Sequence, residues 1–219
     1  MITYEQIRQN SSVNVYIEHA DRTLDAQGYT EHSYAHVVHV AQTAGHILQT
    51  LGASEHEIEL GRIAAYLHDI GNLVNRVDHS QSGAIMAFRI LEHLGMPAED
   101  LCVVASAIGN HDESTGVPVD RISAALILAD KSDVRRSRVR NASPASFDIH
   151  DRVNYSVTER TLSINEDKTA ITLSLTVDTA YSSIMEYFEI FMERMLMCRR
   201  AAEKLGLSFH LYANGQALL

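Results

Sequence analysis

Twelve of the 219 residues are histidine, the commonest metal ligand and a general acid–base group near neutral pH. What this chain could do chemically turns on where they stand. His68 and Asp69 close an otherwise apolar run, Ala64-Ala65-Tyr66-Leu67-His68-Asp69-Ile70-Gly71. Burying such a pair without partners costs several kcal/mol. A cation at this helix end would use imidazole and carboxylate together and would be favoured by the helix dipole; a helix end facing water explains the doublet equally well. Asp130 likewise closes an apolar run, Ala124 to Ala129. His32, His36 and His39 recur at i, i+4 and i+7, so a helix would set them on one face, either as a site edge or as a solvated stripe. One histidine, a His-Asp doublet and a distant aspartate, each on a different helix, make a mixed nitrogen and oxygen site for a borderline divalent metal.

The elements that must position these residues read as helices for the first 140 residues, because apolar positions recur at three and four. Thr3-x-x-Gln6 and Ser54-x-x-Glu57 are capping boxes. Helices are expected over 11–26, 30–51 and from Ser54 through the doublet to Gly71. Others are expected over 79–94, from Pro97 to Gly109, and from Asp120 through about Arg138. The pattern then changes. Residues 154–164 and 169–177 alternate, with a turn between them, and predict a β-hairpin. A long amphipathic helix over 180–205 and a short strand over 207–212 follow. The expected architecture is mainly α: a helical metal-binding domain over 1–140 and a small α+β appendage over 141–219. The appendage could pack as part of the same domain, cap a site or pair two chains. Met185, Phe188, Phe191, Met192 and Met195 recur at helical spacing and are expected in the core of that appendage.

A chain of this length buries roughly 70% of its unfolded surface and needs no covalent staples. Cys102 and Cys198 lie far apart in apolar helical patterns and read as buried thiols in a reducing compartment. No apolar run approaches the roughly 18 residues of a membrane span, and the N-terminus lacks a signal-peptide pattern, so a cytoplasmic location is expected. The net charge of −10 argues against general nucleic-acid binding. Against that background Lys131-Ser132-Asp133-Val134-Arg135-Arg136-Ser137-Arg138-Val139-Arg140 carries five basic residues. A continuing helix would put Lys131, Arg135 and Arg138 on one side. These and His32 are candidates for contacting substrate phosphates, against the alternative of a solvated face paired with acidic neighbours.

His36, His68-Asp69 within LHDIG and Asp130 within LILADKSD together resemble the HD superfamily of metal-dependent phosphohydrolases over residues 30–140. The resemblance implies an all-helical bundle with these four residues holding a first metal. His79 and His111 are similar to two further ligands in that superfamily's binuclear branch. Asp69 would then bridge two divalent ions, whether Fe, Mn, Zn, Ni or Co. Implied with it is hydrolysis of a phosphoester or phosphoanhydride, a nucleotide being the expected substrate, with Asp69, Asp112 and Glu113 as candidates for handling the proton. Asn72 stands where the subgroup that cleaves cyclic dinucleotides has lysine, and Thr115-Gly116 resembles enzymes that split dinucleoside polyphosphates. The resemblance leaves open an HD-type di-iron oxygenase, a non-catalytic metal and nucleotide sensor, and a mononuclear guanosine-polyphosphate hydrolase. A homodimer is also compatible with it.

Overall fold

The computed structural model describes residues 2–219. Its helices are α1 (Tyr4–Arg8), α2 (Ser11–Ala26), α3 (Tyr34–Thr50), α4 (Glu55–Leu67), α5 (His79–His93), α6 (Ala98–Gly109), α7 (Arg121–Lys131), α8 (Ile149–Ser156) and α9 (Ile184–Lys204). The strands are β1 (Val157–Ile164), β2 (Ala170–Val177), β3 (Ser208–Ala213) and β4 (Gln216–Ala217). The chain is mainly α with a small C-terminal sheet, as its periodicity predicts. The capping boxes at Thr3 and Ser54 form, and further ones at Asp120 and Ser183 open α7 and α9.

Helix α7 is the axis of the molecule. Every residue from Ile122 to Lys131 is buried, and α3, α4, α6 and α9 pack around it. A helix that is apolar all round has no solvent face, so any polar group at its end must find a partner. In the sheet, β1 and β2 form the expected antiparallel hairpin, and β2 and β3 are parallel, connected through α9. Ile171, Leu173, Leu175 and Val177 share the buried face with Phe209, Leu211 and Ala213, beneath α9. One continuous apolar cluster runs from the helical bundle into this sheet.

Several expectations are corrected. Helix α7 stops at Lys131 instead of running to Arg138. Ser132 caps it, and Asp133 turns away to pair with His36 and Arg135, drawing Arg135 into extended backbone. Lys131, Arg135 and Arg138 therefore share no helix face. Helix α3 starts at Tyr34, so His32 precedes it. Residues 154–156 end α8 and do not begin the hairpin. Cys198 is buried but Cys102 is exposed, on the outer side of α6. The buried stripe of α9 is Tyr187, Phe191, Met195, Cys198 and Ala202, which leaves Met185 and Met192 on the flank, exposed.

Candidate metal centre

Five helices and one tight turn bring the candidate ligands together. His36 lies in the first turns of α3, His68 caps α4, and Asp69 opens the 3-10 turn Ile70–Leu73. His79 begins α5, His111 follows α6, and Asp130 is the penultimate residue of α7. Gly71 makes this convergence possible. A Cβ there would run into the His79 carbonyl oxygen and the Gly83 nitrogen. Only glycine lets α5 lie this close to the turn and carry His79 up to Asp69.

The cluster is divided by the two oxygens of Asp69. Oδ2 lies 3.5 Å from His36 Nε2 and 3.2 Å from His68 Nε2, and these imidazoles lie 3.4 and 3.6 Å from Asp130 Oδ1. Oδ1 faces the other way, 3.6 Å from His79 Nε2 and 4.0 Å from His111 Nε2. Asn72 Nδ2 donates to Oδ1 at 2.9 Å and fixes the carboxylate plane. All four imidazoles point Nε2 inward, because each Nδ1 has an oxygen acceptor behind it. The acceptors are Asp133 Oδ2 for His36 (2.8 Å), Ala65 O for His68 (2.7 Å), Arg76 O for His79 (3.1 Å) and Ile108 O for His111 (2.6 Å). With Nδ1 as the donor, the Nε2 atoms converge, 3.3 Å apart for His36 and His68 and 3.1 Å for His79 and His111. Such a pair is satisfied by a shared proton or by a metal cation between the two nitrogens, and this outward anchoring of imidazoles is what metal ligation requires. The donor set fits divalent ions: His36, His68 and Asp130 make one possible group, and His68, Asp69 and His111 another.

The electrostatics agree. Burial works against a charged His68, yet Asp69 and Asp130 outweigh it and push its pKa up to about 10. Burial would raise Asp69 and Asp130, but His68 and His36, with Lys131 beside Asp130, hold both well below the usual carboxylate range. His111 is driven down to about 3 by burial and by Lys131, His68 and His79, and His79 is lowered chiefly by burial. Those two rings are neutral at physiological pH, the form that ligates.

Comparison with known proteins agrees with this arrangement: the HD domain family model matches residues 33–137. Over these residues the chain is similar to HD domains. The match begins just before His36 and ends after Asp130, and it includes all six clustered side chains. HD domains make up a superfamily of metal-dependent phosphohydrolases. The chain is also similar to an uncharacterised protein of Methanocaldococcus jannaschii, 28% identical over 171 residues, an overlap covering 67% of this chain and 65% of the relative. The chain thus spans just under two thirds of that relative.

Beside the histidine–aspartate cluster is a cavity of about 280 Å³. His32, Arg76 and Glu113 form its inner wall. The His32 ring lies 5.5 Å from that of His36, Arg76 Nη1 is 3.4 Å from His79 Nε2, and Glu113 reaches Asp130 through Lys131. Arg138, also buried, lines the cavity while donating to Glu31 O and Asp133 O. The opposite wall comes from the C-terminal segment: His150 and Asn154 of α8, and Ile190, Phe191 and Arg194 of α9.

The other candidates fall out differently. Lys131 is buried between Glu113 (2.6 Å) and Asp130 (2.9 Å) and lines no part of the cavity. Arg135 lies on the far side of Asp133, in a separate cleft. Glu113 is held by Lys131 and Arg194, which keep its carboxyl far below the usual range against the opposing effect of burial. Asp112 accepts from Ser114 and sits 3.6 Å from His79 Nδ1. Arg76, Asp133 and Arg194 are not identified from the sequence, and Asn72 is read there only as a departure from the lysine of the cyclic-dinucleotide subgroup. Asn72 and Asp133 follow the ligands by three residues each, a spacing that could have flagged them. Nothing local marks Arg194, whose partner Glu113 is 81 residues away.

No helix among the described residues is long and apolar enough to cross a membrane.

Proposed function

We propose that the protein is a binuclear metal-dependent hydrolase of a small phosphoester or phosphoanhydride, a nucleotide phosphate by preference. The observation that supports this most is the division of Asp69: one carboxylate oxygen faces His36, His68 and Asp130, the other faces His79 and His111. His36, His68, Asp69 and Asp130 would hold one divalent ion, and Asp69, His79 and His111 the second. Bound there, the ions supply Lewis acidity and lower the pKa of water.

The chain's own residues do the rest. Arg76 and Arg194 present guanidinium groups to the cavity and suit phosphoryl oxygens, since arginine recognises them bidentately. Arg138 adds positive charge from behind while fixing the 133–138 loop. Tyr29, Ile190 and Phe191 give the apolar part of the wall, enough for the less polar end of a small substrate. His32 has Nδ1 committed to Thr30 O, and burial with Arg138 nearby holds its pKa well below the ordinary value. Its Nε2 is therefore a neutral acceptor that can hydrogen-bond substrate. Asp112 and Glu113 act by position: Asp112 supports His79, and Glu113 holds Lys131 and Arg194 in place. The C-terminal segment closes the substrate cavity.

The test is turnover. Protein reconstituted with Mn, Fe, Zn, Ni or Co would be assayed on nucleoside mono-, di- and triphosphates and a chromogenic phosphodiester. The expected result is metal-dependent hydrolysis that vanishes in Asp69→Asn. No hydrolysis with any of these metals and substrates would overturn the proposal.

A further inference from the structure

Outside the histidine–aspartate cluster, the arginines after α7 meet β1 in a second cleft of about 460 Å³. Its polar wall is His39, Arg135, Arg136 and Arg160, with Ser137 and the rim residue Glu159. Three arginines line this one cleft in a chain whose net charge is −10; the Arg136 guanidinium stacks on Tyr155, which leaves Arg135 and Arg160 as its cationic wall. Their carboxylate partners are few. Arg135 pairs with buried Asp133 at 2.6 Å, and Arg136 lies 3.7 Å from Asp178. Asp133 is already shared with His36 and Arg138.

Arg160 has no carboxylate within ion-pair distance among the described residues. Its Nε donates to Ser132 O (2.7 Å), its Nη2 to Ser132 Oγ (2.6 Å) and its Nη1 to His39 Nε2 (2.9 Å). Every one of these acceptors is neutral, and His39 is held neutral by burial with Arg160 and Arg135 nearby. Of the five N–H donors a guanidinium carries, Arg160 uses three and Arg135 two. Both side chains are thus fixed in place with donors to spare at the cleft. A β-bulge between Val157 and Glu159 sets the local course of β1 beside it, a device often found where a strand edge is shaped for a ligand.

We propose that this cleft is a second anion site, distinct from the metal centre, that takes the phosphoryl group of a small molecule between Arg135 and Arg160. A phosphoryl oxygen supplies the anionic acceptor that Arg160 lacks, and fixed guanidinium groups bind it with little loss of side-chain freedom. The proposal does not rest on the hydrolase reading and survives if no substrate is turned over.

The experiment is a titration of the whole chain with inorganic phosphate, followed by the arginine Nε–H signals in 1H–15N spectra. Arg135→Gln and Arg160→Gln identify those signals and remove the donors. Saturable shifts of the Arg135 and Arg160 signals are expected. Affinity should fall about tenfold or more in Arg135→Gln and rise a few-fold in Glu159→Gln, which removes the rim's negative charge. Arg135 is partly exposed, so its variant keeps the test valid if Arg160→Gln fails to fold. The proposal is overturned if the two signals do not move, if they drift without saturating, or if Arg76→Gln abolishes binding while Arg135→Gln leaves it intact.

Discussion

The two halves of the cluster share Asp69 but are built differently. Around His36 and His68 the surroundings are acidic: Asp69 Oδ2, Asp130, and Asp133 behind His36, enough to push His68 up to about 10. Around His79 and His111 the rings are neutral, Asp69 Oδ1 is the one carboxylate oxygen among the described residues within ion-pair distance of both Nε2 atoms, Asp112 stands behind His79 at 3.6 Å, and Arg76 approaches His79 Nε2 at 3.4 Å. The first half attracts a cation strongly. The second accepts one against the field of Arg76 and Lys131, and it borders the cavity. On the proposed binuclear reading the fold would separate a tightly held ion from a weaker one, and the difference would come from second contacts and not from the ligands alone.

Breaking the bridge has the largest expected effect. Asp69→Ala removes an oxygen from both halves, so turnover and metal retention should both be lost; activity at the wild-type level in a steady-state assay would refute the shared role. Loosening one half comes next. Asp133→Asn weakens the acceptor that anchors His36, and such outer contacts typically change metal affinity about 10- to 100-fold. Competition with a chromophoric chelator should show the loss in the tighter ion only. Arg76→Gln tests the other half. Removing that charge should tighten the weaker ion about fivefold, the order expected for one partly solvated charge beside a buried site, while raising KM for a phosphate substrate. An unchanged weak-site Kd would show that Arg76 does not shape the difference.

The smallest effect lies away from both halves, where Arg152 of α8 pairs with Glu186 of α9 at 2.8 Å. Arg152, with the Ser183 N–H, brings the Glu186 carboxyl down to about 2. A folded-state pKa below the ordinary carboxylate value gives stability that is present above that value and lost as pH falls toward 2. The Tm gap between wild type and Glu186→Gln should therefore be small at neutral pH and close between about pH 4.5 and 2.

The legible part of this molecule was the part written in local pattern. An apolar run ended by a polar residue picked out Asp69 and Asp130, and alternation in 171–177 located the buried sheet face. What escaped was set by distant partners. The helix expected to reach Arg138 ends at Lys131 because Asp133 is claimed by His36, 97 residues earlier. The basic run after Asp130 looked like one phosphate-binding face. The turn at Ser132 divides it, sending Arg138 to the cavity and Arg135 to a different cleft. Arg194 reaches the cavity only because α9 packs against α7. Met185 and Met192 share the spacing of the α9 core yet lie one step off its buried stripe.

The central claim is that Asp69 joins two ion positions of unequal strength. Metal content per chain, on protein purified without chelator and reconstituted with Mn, tests it most directly in wild type beside His79→Ala. The arrangement predicts about two ions in wild type and about one in the variant. About one ion in both proteins, or about two in both, would contradict it.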